Sequence, residues 1–154
     1  MTRSIGRVIA ISLFAACSNE PPPPVQMTAE TRADSVGIAS MAFQPAAFDT
    51  IAWETRQLAI DRGSVVFSIS CSKCHGESAR GNGGFVFQGD TLRPPSFMAT
   101  DWRFTDDPMG LRKQIFMGNV AGMPYWGLVG LKYRDIDAVS VFITELLRTN
   151  YSLN

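Results

Sequence analysis

The sequence predicts an all-α domain, and three observations carry that expectation. Apolar residues recur at helical spacing over residues 51–70 and again over 133–148. The segment between them is punctuated by glycine and proline instead of alternating strand patterns. No strand-helix-strand alternation of the kind that builds a parallel sheet is present. At 154 residues and 45% hydrophobic, the chain has room for one domain with a real core. Its formal charge of zero leaves no electrostatic footprint for nucleic acid.

Three parts are expected: a leader over 1–17, a Pro-rich flexible tether over 18–50 and the helical domain over 51–154. In the leader, Arg3 and Arg7 precede the apolar run 8–14, which is too short to span a bilayer. Ala15-Ala16-Cys17 follows. Small residues before a cysteine resemble a bacterial lipobox, although Phe14 stands where leucine is preferred and Leu13 is one step early. Cleavage would leave Cys17 as a lipid-modified N-terminus and explain an otherwise leftover thiol in an exported protein. An ordinary signal peptide that happens to contain a cysteine is the alternative. Removing Arg3 and Arg7 from 14 basic residues leaves a mildly acidic mature chain against 14 acidic ones.

Pro21-Pro22-Pro23-Pro24 donates no backbone hydrogen bonds and favours an extended, stiff spacer. Residues 25–48 show no sustained period, which predicts a tether of low order; Val36, Ile38, Met41 and Phe43 leave open a segment that docks. Some thirty extended residues at about 3 Å each reach on the order of 90 Å.

In the first helix, Trp53, Leu58, Ile60, Val65, Phe67 and Ile69 are the apolar positions, with Asp49 and Thr50 as caps. Gly63 inside it points to a close approach by another element. The helix runs into Cys71-Ser72-Lys73-Cys74-His75. Two thiols on one turn can each add to a vinyl group of a porphyrin, and the adjacent imidazole can meet the iron. Zinc and thioredoxin-like readings compete. Zinc would be short of ligands, since Cys17 is the only other cysteine and His75 the only histidine, and a redox pair lacks its strand-helix context.

Gly81-Asn82-Gly83-Gly84 reads either as a loop passing over a flat group or as a surface turn. Within Leu92-Arg93-Pro94-Pro95-Ser96-Phe97, a proline carbonyl, of Pro94 or Pro95, can accept from the far N–H of an iron-bound imidazole. Asp107 and Pro108 open a helix that continues over 109–117 and stops at Gly118, with Leu111, Ile115 and Phe116 on its apolar face. Gly122-Met123-Pro124 then places a thioether beside a rigid residue. In the last helix Ile136, Val139, Phe142 or Ile143, and Leu146 form the buried stripe, with Asp135 and Asp137 at its positive end and Arg148 at its negative end. With one histidine, a second imidazole from the same chain is excluded. Of seven methionines, Met98 and Met123 remain after the leader, the tether and the helix faces are set aside, and Met123 on its loop tip is preferred.

In that order of features, residues from about 52 to 150 resemble the class I c-type cytochromes. The resemblance implies a cytochrome c-like all-α fold around one covalent haem c, with the N-terminal and C-terminal helices of the domain packed together. Cys71 and Cys74 would carry the thioethers, His75 the proximal and Met123 the distal iron bond, with Pro95 as the carbonyl acceptor. It also implies a crossing of Gly63 and Phe67 against Phe142. With its leader, the chain is similar to the monohaem lipoprotein cytochromes that serve membrane respiratory or photosynthetic complexes, including that of alternative complex III. The implied role is non-enzymatic: a membrane-tethered carrier of single electrons between redox proteins on the periplasmic side of a bacterial membrane. A permanently docked haem subunit of a quinol-oxidising complex, or a five-coordinate haem enzyme or gas binder, are the rival readings.

Overall fold

The computed structural model describes residues 29–147. The leader, Cys17, the proline run and Arg148 lie outside the described residues. Six helices follow in order: α1 (Ala29–Ala42), α2 (Arg56–Ser70), α3 (Ser72–His75), α4 (Pro108–Met117), α5 (Trp126–Val129) and α6 (Tyr133–Val141). A 3-10 turn at Pro45–Phe48 and a two-residue hairpin, β1 (Val86–Phe87) and β2 (Asp90–Thr91), complete the described elements together with a π turn at Phe142–Leu147. None of the helices is long and apolar enough to cross a membrane.

The helical frame is α2 against α6, and it forms because Gly63 lets them touch. A Cβ at that position would overlap the carbonyl oxygen of Ala138 and lie 2.6 Å from Phe142 Cβ. Phe67 and Phe142 meet one turn further on, with ring centroids 5.6 Å apart. The close approach and the aromatic crossing are as the sequence led us to expect. Two details differ. Helix α2 starts at Arg56, capped by Thr55, whose Oγ1 accepts from Leu58 N at 3.2 Å, and not near Asp49 or Thr50. Its buried face is Ala59, Gly63, Val66 and Phe67, whereas Leu58, Val65 and Ile69 face outward. At Gly63 helix α6 leaves no room for a side chain, whereas Val66 and Phe67 pack into the core on the next turn.

Helix α4 is capped as predicted: Asp107 Oδ1 accepts from Gly110 N at 2.7 Å, and Leu111, Ile115 and Phe116 are buried. The π turn at the end of α6 widens the helix and turns both Phe142 and Ile143 inward, so the choice between them does not arise.

Asp137 is more than a charge at a helix start. It is 6% exposed, and its carboxylate accepts from Trp53 Nε1 and from Arg112 Nη2, both at 2.7 Å. It thereby ties the segment before α2, helix α4 and helix α6 together. Removing it would leave a half-buried guanidinium and an indole N–H without their acceptor. We expect Asp137→Ala to lower the unfolding free energy by about 3 kcal/mol. Asp137→Asn, which keeps an acceptor for Trp53, should cost less. Denaturant unfolding measures both, and equal midpoints for wild type and Asp137→Ala would contradict the tie.

The largest departure is at the N-terminal side. Residues 29–50 are not a low-order tether: α1 lies on α4, Ala39 is fully buried, and Phe48 belongs to the core. Phe43 packs edge-on to Phe116 at 5.4 Å. The Tyr133 hydroxyl accepts from Gln44 N at 2.8 Å and donates to Ala42 O at 3.3 Å, fastening the end of α1 to the start of α6. Alanine-rich α1 buries a narrow strip through Ala39 and leaves Ile38 and Met41 outside, which is why no apolar period is visible in its sequence.

Candidate functional site

Between α2–α3, α4 and the loops that join them lies a mainly apolar cavity of about 580 Å³. Cys71, Cys74, His75, Pro94, Pro95 and Met123 all line it, so the fold gathers every predicted cavity residue of the domain around one space. Met98 is not among the lining residues; it packs on the core.

Cys71 ends α2 and begins α3, and the bonds from His75 N and Cys74 N to its carbonyl, at 3.0 and 3.1 Å, wind the motif into one turn. The loop beyond returns to brace that turn. Gly81 N donates to His75 O at 2.8 Å and Gly83 N to Cys74 O at 3.2 Å. Gly83 has no room for a side chain, because a Cβ there would sit 2.6 Å from Ser72 O. The glycine stretch therefore packs under the motif's backbone; it does not line the cavity. Gly81 also abuts the Pro94 carbonyl.

The electrostatics suit neutral groups. Burial pushes the Cys71 thiol up to about 12, with the neighbouring Cys74 adding to the shift. The Cys74 thiol is also raised by burial, against an opposing pull from Lys73. Neither has the lowered pKa of a redox-active thiol pair. Burial takes His75 down to about 4, so at neutral pH its imidazole is uncharged and offers a lone pair. Its Nδ1 is buried and has no hydrogen-bond partner, so the bond to a Pro95 or Pro94 carbonyl is not formed here. The His75 ring stacks on Phe97 at 4.5 Å, and Trp102 and Phe104 continue the aromatic row in 5.5 Å steps.

Met123, which lines the same cavity, is held by two groups that the sequence reading did not single out. Asn119 Oδ1 accepts from Met123 N at 3.2 Å, and Gln114 Nε2 lies 3.7 Å from Met123 Sδ while donating to Gly118 O at 2.9 Å. Gln114 stands at i+3 from Leu111 on the same inward face of α4; a polar residue on an apolar stripe was the available signal. Asn119 and Trp102 carried none, because their roles depend on loop folding.

A family model described as cytochrome c oxidase, cbb3-type, subunit III matches residues 58–143. The chain belongs to this family. A curated relative, cbb3-type cytochrome c oxidase subunit CcoP from Azospirillum brasilense, is 27% identical over 92 residues, or 60% of this chain. Those residues are 30% of the relative, so the chain spans less than a third of its length. No solved structure matches. The predominantly helical architecture is that of a cytochrome c domain, and in this subunit III domain the matched stretch runs from within α2 into the π turn, enclosing the whole lining of the cavity. Helix α1 lies before it.

The residues fit a haem. The cavity is apolar and of cofactor size, both cysteines of the motif and a neutral imidazole line it, and the imidazole's Nδ1 is buried without a hydrogen-bond partner. The Met123 thioether side chain is among the lining groups too. Among the described residues no three His, Cys, Asp or Glu side chains gather as a metal-ion site, as zinc would require.

Proposed function

We propose that this chain is a single-haem electron-transfer subunit, exported and held at the periplasmic side of a bacterial membrane by lipid on Cys17, that passes single electrons to or within a membrane oxidase complex. The observation that supports the reading is that Cys71, Cys74, His75 and Met123 all line one apolar cavity. Cys71 and Cys74 would hold haem c through two thioethers, each S–H adding across a vinyl group. His75 and Met123 would be the protein's ligands to its iron. The bound iron supplies a reversible one-electron couple whose ferrous form a thioether ligand favours.

The chain's own residues do the rest. Burial keeps His75 neutral and available, and the aromatic row of Phe97 and Trp102 fixes its ring. Gln114 and Asn119 hold the Met123 loop. With His75 and Met123 both holding the iron, no position would be left for substrate, which would separate this reading from the gas-binding or peroxide-reducing alternative. The similarity to an oxidase subunit favours partners within such a complex. The fold of residues 29–50 onto the domain favours a subunit held close to its partners over a carrier on a long free tether.

A redox titration with optical spectra, on the holoprotein and on Met123→Ala, tests the ligand set. The wild type should show a thioether-to-iron band near the red edge and no response of the reduced form to carbon monoxide. The variant should lose the band, bind carbon monoxide and fall in potential on the order of 100 mV. Identical spectra in the two proteins would overturn the assignment.

A further inference from the structure

Helix α1 lies outside the part of the chain matched by the family, yet one of its side chains reaches the loop that carries Met123. Arg32 Nη1 donates to the Val120 carbonyl at 3.1 Å, and Arg32 Nη2 donates to Gln88 Oε1 at 2.9 Å. The same guanidinium lies 4.9 Å from the centre of the Phe87 ring. One cation therefore joins two loops that are distant in sequence, the β1–β2 hairpin and the stretch from Asn119 to Met123.

The two loops also meet on their inner side, where Gly122 sits against Leu92 and both line the cavity. The hairpin end of the clamp is a defined anchor. Gln88 and Gly89 form its two-residue turn, both with positive φ, +53° and +90°. A glutamine held in the left-handed region persists where its surroundings over-determine it, and the bond from Arg32 is such a constraint. The far end of α1 is fixed independently, through Ala39, Phe43 and the Tyr133 hydroxyl. The arginine is thus projected from a helix that is itself bolted to the core.

The geometry points to Arg32 as a positioning residue that clamps the Asn119–Met123 loop against the hairpin and so sets how firmly Met123 is presented to the cavity. Arg32 touches neither the cavity nor the thioether; it acts through the Val120 carbonyl. The proposal rests on Met123 as the distal ligand, and its test separates the two ideas. The holoprotein is compared as wild type, Arg32→Ala and Arg32→Lys, with Met41→Ala, at an 82% exposed position of α1, as the control.

Two readouts are taken. Hydrogen exchange over 119–123 reports the clamp itself. Titration with free imidazole, followed by loss of the thioether-to-iron band, reports how readily the loop yields its methionine. Arg32→Ala should speed exchange in that segment and raise imidazole affinity roughly fivefold, with Met41→Ala unchanged and Arg32→Lys between the two. Unaltered exchange in Arg32→Ala overturns the clamp whether or not the band exists. Faster exchange with unaltered imidazole affinity overturns its positioning role. A wild type without the band, and with spectra equal to those of Met123→Ala, overturns the ligand reading, while faster exchange in Arg32→Ala would still support the clamp.

Discussion

A Cys71→Ser, Cys74→Ser double variant is expected to carry no covalent haem. Acidified organic solvent should extract all pigment from it and none from the wild type, whose polypeptide mass should exceed that of the mature sequence and its anchor by one haem. The two positions are not equivalent. Cys71 is buried against Phe67 and the core, so a serine there also buries a hydroxyl, whereas Cys74 is half-exposed at the rim. The Cys71→Ser single variant should be the less stable of the two singles, by about 1–3 kcal/mol. Loss of the group has a structural price of its own. At about 24 cal/mol per Å³, holding open a void of this size would cost on the order of 14 kcal/mol. That is an upper bound, because part of the cavity meets water, but it rivals the whole stability of a domain, about 5–15 kcal/mol. The double variant should therefore be loosely packed as well as colourless, with its near-ultraviolet dichroism lost. A colourless variant that unfolds at the wild-type midpoint would contradict this dependence.

The second large effect is expected at Gly63. Alanine is the better helix former by about 1 kcal/mol, so an exposed glycine in the same helix would gain from the exchange. Here the added methyl would meet a backbone oxygen and a Cβ, neither of which can swing aside as a long side chain would. Helices α2 and α6 would have to separate, and overpacking of this kind costs about 3 kcal/mol, so the overlap wins. Gly63→Ala should lower the midpoint of thermal unfolding of the holoprotein on the order of 10 °C. Its optical spectrum should also change, since α2 delivers Cys71 to the cavity and the π turn after α6 delivers Ile143 to the same space. A midpoint within about 2 °C of the wild type would show that the crossing is looser than described.

What the sequence made legible was what local chemistry dictates. The Cys-x-x-Cys-His turn, the Asp107 cap with Pro108, the glycine at the crossing and the Met123 tip all announce themselves through residue type and spacing. The face of α2 did not. Leu58, Val65 and Ile69 point outward while Ala59 and Gly63 point in beside Val66 and Phe67, so hydrophobic period and buried period only partly coincide. Helix α1 was invisible for a related reason: it is alanine-rich and seated by one buried strip and an aromatic end. The tie at Asp137 joins residues 84 and 25 positions apart, beyond the range of any local pattern. Around the cavity, the predicted lining residues are brought together, while Gln114, Asn119 and the aromatic row emerged only from the fold.

The seating of α1 changes how the domain meets its neighbours. If lipid on Cys17 anchors the chain as proposed, the eleven residues 18–28 separate it from the start of α1 and can span at most about 40 Å. One molecule in a hemisphere of that radius is at an effective concentration on the order of 10 mM, against about 1 mM for a tether of some thirty residues. Under the proposed anchoring, helix formation upstream of the matched domain would concentrate it about tenfold at the membrane surface and restrict it to partners whose docking faces stand close to the lipid.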